Sequence, residues 1–229
     1  MKRTLEQSRT FFKRDTANRG FGRELYKTPK EIIFLIIRDL LNRCPWLRDY
    51  TLIDPCAGDG RWQEVAERFG LRCRSYDIEP LSPFVAKQDF YTLTLPEGRY
   101  FICGNPPFSE LQKFVDKALS LCPSCYFLGG SQLITGKLSP DVRWLHRFEG
   151  WEGNQKDKRS KIKFIDTNGK EVLVWCCGAL FSRMGLKPFE RSDIMKEGYF
   201  RTSVKSYTKE IDRVVPISIV EAKSIDFLK

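Results

Sequence analysis

Residues 105–108 read Asn-Pro-Pro-Phe and follow, one glycine on, the apolar run Tyr100-Phe101-Ile102-Cys103. An aromatic amino nitrogen is a poor nucleophile because its lone pair is delocalised into the ring. If the Asn105 side-chain oxygen and the Pro106 carbonyl each accept one N–H, that nitrogen can become more tetrahedral and present its lone pair. Pro106 and Pro107 fix φ, so the two acceptors are held in place before any reaction. Phe108 offers a stacking face for an extruded base. No strong base is required, since the proton can leave after the new bond has formed. A strand-ending turn would also account for these residues, but a polar Asn between an apolar strand and two prolines favours the chemical reading.

Upstream, the apolar run Thr51-Leu52-Ile53 ends in Asp54-Pro55-Cys56-Ala57-Gly58-Asp59-Gly60. Gly58 and Gly60 let a backbone bend sharply and approach a ligand with no Cβ in the way, although a purely structural tight turn would use them too. In an open parallel sheet, ligands collect at the carboxyl ends of the strands, and Asp54, Asp77 and Asn105 fall at such ends. Asp77 could grip ribose hydroxyls, as acidic residues do in dinucleotide folds, or be a solvated strand end. Asp89-Phe90 could offer an acceptor and a flat face to an adenine ring, or could cap a loop over a core aromatic. Taken together, the two clusters suit transfer of a methyl group from S-adenosylmethionine to a planar amino nitrogen, above all the exocyclic amine of adenine.

The elements that must position these residues alternate. A helix is predicted from Thr28-Pro29, with Thr28 as N-cap, Pro29 in the first turn and Glu31 near the positive end, ending before Pro45. A helix around Arg61–Phe69 follows the glycine turn. Arg72–Tyr76 reads as a strand ending at Asp77, and Phe84-Val85-Ala86 as a short element. Ser109–Leu121 has the spacing Leu111, Phe114, Val115, Ala118, Leu119 of a buried helix face, and Tyr126–Leu128 is a further strand. Strands joined by helices imply a parallel sheet with right-handed crossovers. Lys161–Asp166, Asn168-Gly169 and Val172–Ser182 then read as a hairpin. The expected organisation is a basic arm over 1–23, one α/β domain over 24–185 and a weakly patterned extension over 186–229 that wraps the domain or orders on a partner.

The 229 residues suffice for one domain with a real core. Lys and Arg number 39 against 29 Asp and Glu, a net charge of +10 that points to a polyanionic partner. The apolar run Ile32–Ile37 stops at Arg38, too short to span a bilayer. Lys2-Arg3 lead into Glu6-Gln7-Ser8-Arg9, not into an apolar signal segment. The eight cysteines are scattered, with Cys73, Cys103, Cys176 and Cys177 inside apolar strands, as buried free thiols of a reducing compartment would be. Cys122 and Cys125 form a lone CxxC without a second pair, so no metal is expected. His146 is expected on a surface helix. The chain reads as intracellular and cytoplasmic, in a bacterium or phage, with organellar or nuclear placement left open.

In order along the chain, Tyr26-Lys27-Thr28-Pro29, Asp54–Gly60, Asp77, Asp89-Phe90 and Asn105–Phe108 resemble the class I S-adenosylmethionine-dependent adenine-N6 methyltransferases. The arrangement is similar to gamma-type DNA adenine methyltransferases and type I restriction modification subunits, over roughly residues 24–182. The resemblance implies a Rossmann-like α/β fold, a seven-stranded mixed sheet with a reversed last strand. It implies S-adenosylmethionine as cofactor, with Thr28 and Pro29 near the methionine carboxylate, Asp54 near its amino group, and Tyr26 and Pro55 among the cofactor-binding residues. Gly58 and Gly60 would form the cofactor turn, Asp77 would hold the ribose, and Asp89 and Phe90 would flank the adenine. Asn105, Pro106, Pro107 and Phe108 would be the catalytic turn. Phe108 replaces the family's usual Tyr, which stacking tolerates.

The expected partner is nucleic acid, with DNA favoured over RNA on the Tyr-Lys-Thr-Pro start. The DNA enzymes carry a sizeable target-recognition domain, and few residues follow the last expected strand. The target would then be read by a basic segment or a partner subunit, or the substrate would be structured RNA. The segment in question carries Trp151, Lys156, Lys158, Arg159, Lys161 and Lys163, an aromatic beside cations that suits stacking and phosphate contact; a solvated hairpin connection fits it equally. Lys13, Arg14, Arg19 and Arg23 form a second basic candidate. The alternatives are an RNA adenine-N6 methyltransferase, a protein glutamine methyltransferase using the same turn, and a catalytically silent nucleic-acid-binding subunit.

Overall fold

The computed structural model describes residues 26–130, 142–149, 161–166, 168–183, 190–195, 200–206 and 209–215. The basic arm, Trp151, Lys156, Lys158 and Arg159 lie outside these residues.

Four strands build the centre of the sheet: β1 (Thr51–Asp54), β2 (Arg72–Asp77), β4 (Tyr100–Gly104) and β5 (Ser124–Gly130), with the short β3 (Ala86–Lys87) at one edge. Every residue of β4 and β5 is buried, as expected of parallel strands covered on both faces. Successive side chains alternate between two apolar clusters. Leu52, Phe101, Cys103, Tyr126 and Leu128 pack on one face, under α1 (Lys30–Arg43) and α2 (Arg61–Arg68). Ile53, Ile102, Cys125 and Phe127 pack on the other, under α3 (Leu111–Leu121). Each helix buries the stripe its apolar spacing prescribes: Ile32, Ile36 and Leu40 on α1, and Leu111, Phe114, Val115, Ala118 and Leu119 on α3.

The sheet continues through β6 (Val142–Glu149) and β8 (Glu171–Ser182), giving the order β3-β2-β1-β4-β5-β8-β6. β1 to β5 run parallel, and β8 lies antiparallel between β5 and β6. These strands form the mixed sheet with a reversed strand that the sequence implies. The expected hairpin is present: β7 (Lys161–Ile165) pairs antiparallel with the first half of β8. Its turn uses Gly169 at φ 78, where an L side chain would be strained.

The sheet departs from expectation at its far end. Residues beyond 186 form β9 (Glu190–Met195), parallel to β6, and the antiparallel pair β10 (Phe200–Ser206) and β11 (Lys209–Val215). The sheet therefore counts 11 strands among the described residues; the seven expected ones, with the reversed β8 last among them in the chain, form one part of it. Strand pairing, not local apolar patterning, organises this segment.

Two local expectations are corrected. Thr28 is not the N-cap of α1; Pro29 holds that position without a side-chain bond, and its carbonyl accepts the N–H of Ile32 and Ile33 at 3.1 and 3.2 Å. A residue before proline is pushed out of the helical region, which moves the helix start downstream. His146 is not on a surface helix but fully buried in β6. Its Nε2 lies 2.8 Å from Asp39 of α1 and its Nδ1 2.7 Å from the Tyr126 hydroxyl. Burial holds the imidazole below its ordinary pKa despite Asp39, so the neutral ring donates from Nε2 to the carboxylate and accepts from Tyr126 at Nδ1. Burial pushes Asp39 up, but the His146 hydrogen bond and the nearby cation of Arg43 outweigh it and keep the acid ionised.

The Tyr126 hydroxyl reaches this network only because residue 178 of β8 is glycine: a Cβ there would fall on the phenol oxygen. Gly178→Ala is expected to cost roughly 3 kcal/mol or more in urea unfolding, through displacement of Tyr126. An unchanged midpoint would mean that the ring is free to shift.

Candidate active site

The carboxyl ends of β1, β2 and β4 open on a cleft of about 390 Å³. Of the residues singled out in the sequence, Tyr26, Thr28, Pro55, Gly58, Asp77, Asp89, Phe90, Asn105 and Pro107 line it. Pro29, Asp54, Gly60, Pro106 and Phe108 stand outside its lining.

The glycine turn forms the floor between β1 and α2. Gly58 and Gly60 both have positive φ, 55° and 87°. A Cβ at Gly58 would meet nothing within 4 Å, so the backbone there is open to a ligand. The turn is anchored from β2: Asp77 accepts the Gly58 N–H at 2.8 Å through one carboxylate oxygen and the Glu79 N–H at 2.8 Å through the other. Asp77 thus holds the turn in shape while lining the cleft, whatever it does for a ribose. The loop after β2 adds a second anchor, Leu81 N–H to the Gly58 carbonyl at 2.9 Å. Ile78 and Leu81 on that loop line the cleft and stay exposed, 55% and 51%.

Across the cleft, Asp89 caps a short helical turn by accepting the Tyr91 N–H at 2.9 Å. Phe90 is buried, its ring stacked on Phe114 at 5.1 Å. Tyr91 donates its hydroxyl to Glu110 at 3.0 Å. Partial burial and the Glu110 carboxylate push this phenol up, so it remains a donor at neutral pH.

Asn105 leaves β4 beside this wall. Its amide nitrogen donates to the Tyr26 carbonyl at 3.0 Å, and a carbonyl can only accept, so the amide orientation is fixed. Its Oδ1 is buried and has no hydrogen-bond partner. A buried acceptor without a donor costs about 1–3 kcal/mol, an expense that a ligand N–H would remove. Pro106 is buried and Pro107 opens the short helical turn Phe108–Glu110. Phe108 is half-buried, with Phe164 of β7 edge-on at 6.4 Å.

Asp54 is fully buried at the end of β1. Its Oδ1 accepts the Cys56 N–H at 3.3 Å and its Oδ2 is buried without a partner. A Cβ at Gly104 would lie 2.5 Å from Asp54 Oδ1, so the carboxyl occupies space that a side chain on β4 would take. Burial, with the Asp77 and Asp59 charges nearby, pushes its pKa up to about 8.

Sequence reasoning missed several lining residues. Lys27 pairs with Asp59 at 3.2 Å and Arg61 with the same carboxylate at 3.1 Å. Arg61 also donates to the Thr28 carbonyl at 3.3 Å. Asp59, Asp77, Glu79, Asp89 and Glu110 make an acidic wall in a chain of net charge +10. The signal for Tyr91 and Glu110 was adjacency to the Asp89-Phe90 and Asn105–Phe108 motifs. Lys161 and Lys163 lie on β7, where Lys163 pairs with Glu171 at 3.1 Å. No group of His, Cys, Asp and Glu among the described residues could hold a metal ion. No described helix is long and apolar enough to cross a membrane.

No protein-family model and no curated protein matches the chain. Solved structures do. A type I restriction-modification methyltransferase subunit from Streptococcus thermophilus superposes with a TM-score of 0.53 at 10% identity, covering 89% of this chain and 53% of that one. The shared architecture is a Rossmann-like mixed α/β fold, that of this methyltransferase subunit. A Pyrococcus horikoshii chain described as an RNA methyltransferase aligns over 77% of this chain and 98% of its own, at 14% identity and a TM-score of 0.48. A Listeria monocytogenes chain described as a class I S-adenosylmethionine-dependent methyltransferase covers 81% and 71%, at 9% identity and 0.48.

The protonated Asp54 of this methyltransferase fold carries a pH signature. The folded state keeps a proton that the unfolded chain loses above the ordinary carboxyl range, so this group's contribution to stability falls as pH rises towards about 8 and is level beyond. For Asp54→Asn, the difference in unfolding free energy from the natural chain should shift in the variant's favour between pH 5 and 8. The slope limit is about 1.4 kcal/mol per pH unit. Urea titrations at several pH values measure it, and a pH-independent difference would show that Asp54 is ionised in the folded protein.

Proposed function

We propose that this chain transfers the methyl group of S-adenosylmethionine to the N6 amine of adenine in nucleic acid, with DNA ahead of RNA. The observation that carries the reading is the Asn105 amide: its nitrogen is committed to the Tyr26 carbonyl, and its oxygen is a buried acceptor without a donor. The residue lines the same cleft as the open backbone of Gly58. An amine donating to Asn105 Oδ1 and to the Pro106 carbonyl would have its lone pair freed from conjugation. The cofactor supplies an electrophilic methyl on a cationic sulfonium, and the carboxylates of the cleft wall fit that charge. Gly58 would approach it by backbone, Asp77 would take the ribose with its remaining lone pairs, and Asp89 with Phe90 would flank the adenine. Ile78 and Leu81 would supply an apolar wall. Phe108 would reach a base only along its exposed edge, given its seat against Phe164.

The preference for DNA is supported by the likeness to the type I restriction-modification subunit. The basic residues around 151–163, or a partner protein, would read the target. A protein glutamine substrate would not call for a charge of +10.

Transfer of tritiated methyl to DNA, total RNA and protein fractions, followed by nucleoside mass spectrometry, tests the reading. Label is expected in N6-methyladenine. Asn105→Ala should lower transfer by about 100-fold or more, with calorimetric cofactor affinity within about threefold. Full activity in that variant, or label in protein alone, refutes the assignment. Charge reversal at Lys156, Lys158, Arg159, Lys161 and Lys163 should weaken nucleic-acid binding and flatten its salt dependence. An unaltered salt slope would make the segment a connector.

A further inference from the structure

β7 sits off the main order of the sheet, paired with the first half of β8. Its Phe164 is fully buried, and the ring meets two others: Tyr26 at 5.7 Å and Phe108 at 6.4 Å. One residue on, Ile165 exchanges both backbone bonds with Lys27, at 2.8 and 3.1 Å, an isolated antiparallel bridge. Tyr26 in turn gives its carbonyl to the Asn105 amide. A single physical path therefore runs from β7 through the Tyr26-Lys27 segment to the side chain whose oxygen is left without a donor. The segment belongs to no helix or long strand, so the peptide carrying the Tyr26 carbonyl is held by β7 on two counts: its Lys27 N–H bonds to Ile165, and the Tyr26 ring packs on Phe164. Further anchors, Lys27 to Asp59 and Arg61 to the Thr28 carbonyl, act from the glycine-turn side.

We propose that Phe164 is a positioning residue for Asn105: its ring seats Tyr26, and the Tyr26 carbonyl then fixes the Asn105 amide with its oxygen free to accept the substrate amine. The inference deepens the proposed function and rests on it for the identity of the amine, but the positioning itself belongs to the protein without substrate. It gives β7 a task beyond completing a hairpin. It also places Lys161 and Lys163, two of the candidate phosphate contacts, on the strand that holds the acceptor.

The test is proton exchange of the Asn105 side-chain amide, followed by ¹⁵N NMR and assigned by loss of its signals in Asn105→Asp. In Phe164→Leu, exchange at Asn105 should speed up by about tenfold or more, while the β4 backbone amides of Ile102 and Cys103 stay within about twofold. Phe164→Met, which also removes the ring at similar volume, should behave alike and replaces the Leu variant if that one loosens the fold. Single-turnover methyl transfer at saturating substrate should fall about tenfold with cofactor affinity unchanged. Unaltered Asn105 exchange overturns the proposal, as does acceleration shared equally by β4, which would reduce Phe164 to an ordinary core residue. Faster Asn105 exchange in a chain whose natural form methylates nothing would sustain the positioning and sink the proposed function.

Discussion

A side-chain amide has two ends that look alike in shape and differ wholly in chemistry, and a site that needs an acceptor must decide which end faces the reactant. Here the Tyr26 carbonyl decides it for Asn105 by taking a hydrogen bond from the amide nitrogen at 3.0 Å. The two residues are 79 positions apart, so the bond exists only because several elements agree. β4 must end beside the cleft, the segment before α1 must cross in front of it, and β7 must hold that segment from behind. The orphaned Oδ1 is the local cost of this arrangement. Proteins rarely leave such an atom buried without a use.

The same economy governs the floor of the cleft. Asp77 lies at the end of β2, yet both of its oxygens already hold backbone N–H groups, of Gly58 and Glu79. Each carboxylate oxygen carries two lone pairs, so a role in shaping the turn does not preclude a role toward a ligand. The turn places the Gly58 N–H on the carboxylate through a positive φ, and the carboxylate and the Leu81 N–H hold the glycine there from two sides. Asp54 shows the opposite case. Enclosed at the end of β1 and fitted into the space left by Gly104, it is too desolvated to keep its charge. Two aspartates at neighbouring strand ends thus stand in opposite settings: Asp77 meets two backbone donors, and Asp54 meets almost none.

What was legible in the sequence was local. The apolar runs of β4 and β5, the stripe on α3 and the Asn168-Gly169 turn each depend on residues close in the chain, and the structure has them as read. What escaped depends on pairing at a distance. His146 meets Asp39 across 107 positions and Tyr126 across 20, and nothing in the residues flanking His146 announces a buried neutral imidazole. Gly178 looks like any strand glycine until the Tyr126 phenol is placed against it. β9, β10 and β11 carry little apolar alternation, and register with β6 and with one another, not hydrophobic pattern, makes them strands. The strap at Tyr26–Thr28 was singled out by resemblance, but its bonds to Asn105, Ile165 and Arg61 were beyond any local signal.

Charge distribution completes the picture of how such a cleft would admit a polyanion. The chain as a whole is strongly basic, while the cleft is walled by Asp59, Asp77, Glu79, Asp89 and Glu110, and its two cations are both engaged by Asp59. Phosphates entering that wall would be repelled at short range, where neighbouring low-dielectric walls strengthen the interaction. Long-range attraction and short-range exclusion then sort the parts of a nucleotide. Under the proposed function, the nucleic-acid backbone would be drawn by the net positive charge of the chain, and an uncharged base is the part that the cleft would accept. A base presented this way would bring its amine to the acceptor that Asn105 holds unspent.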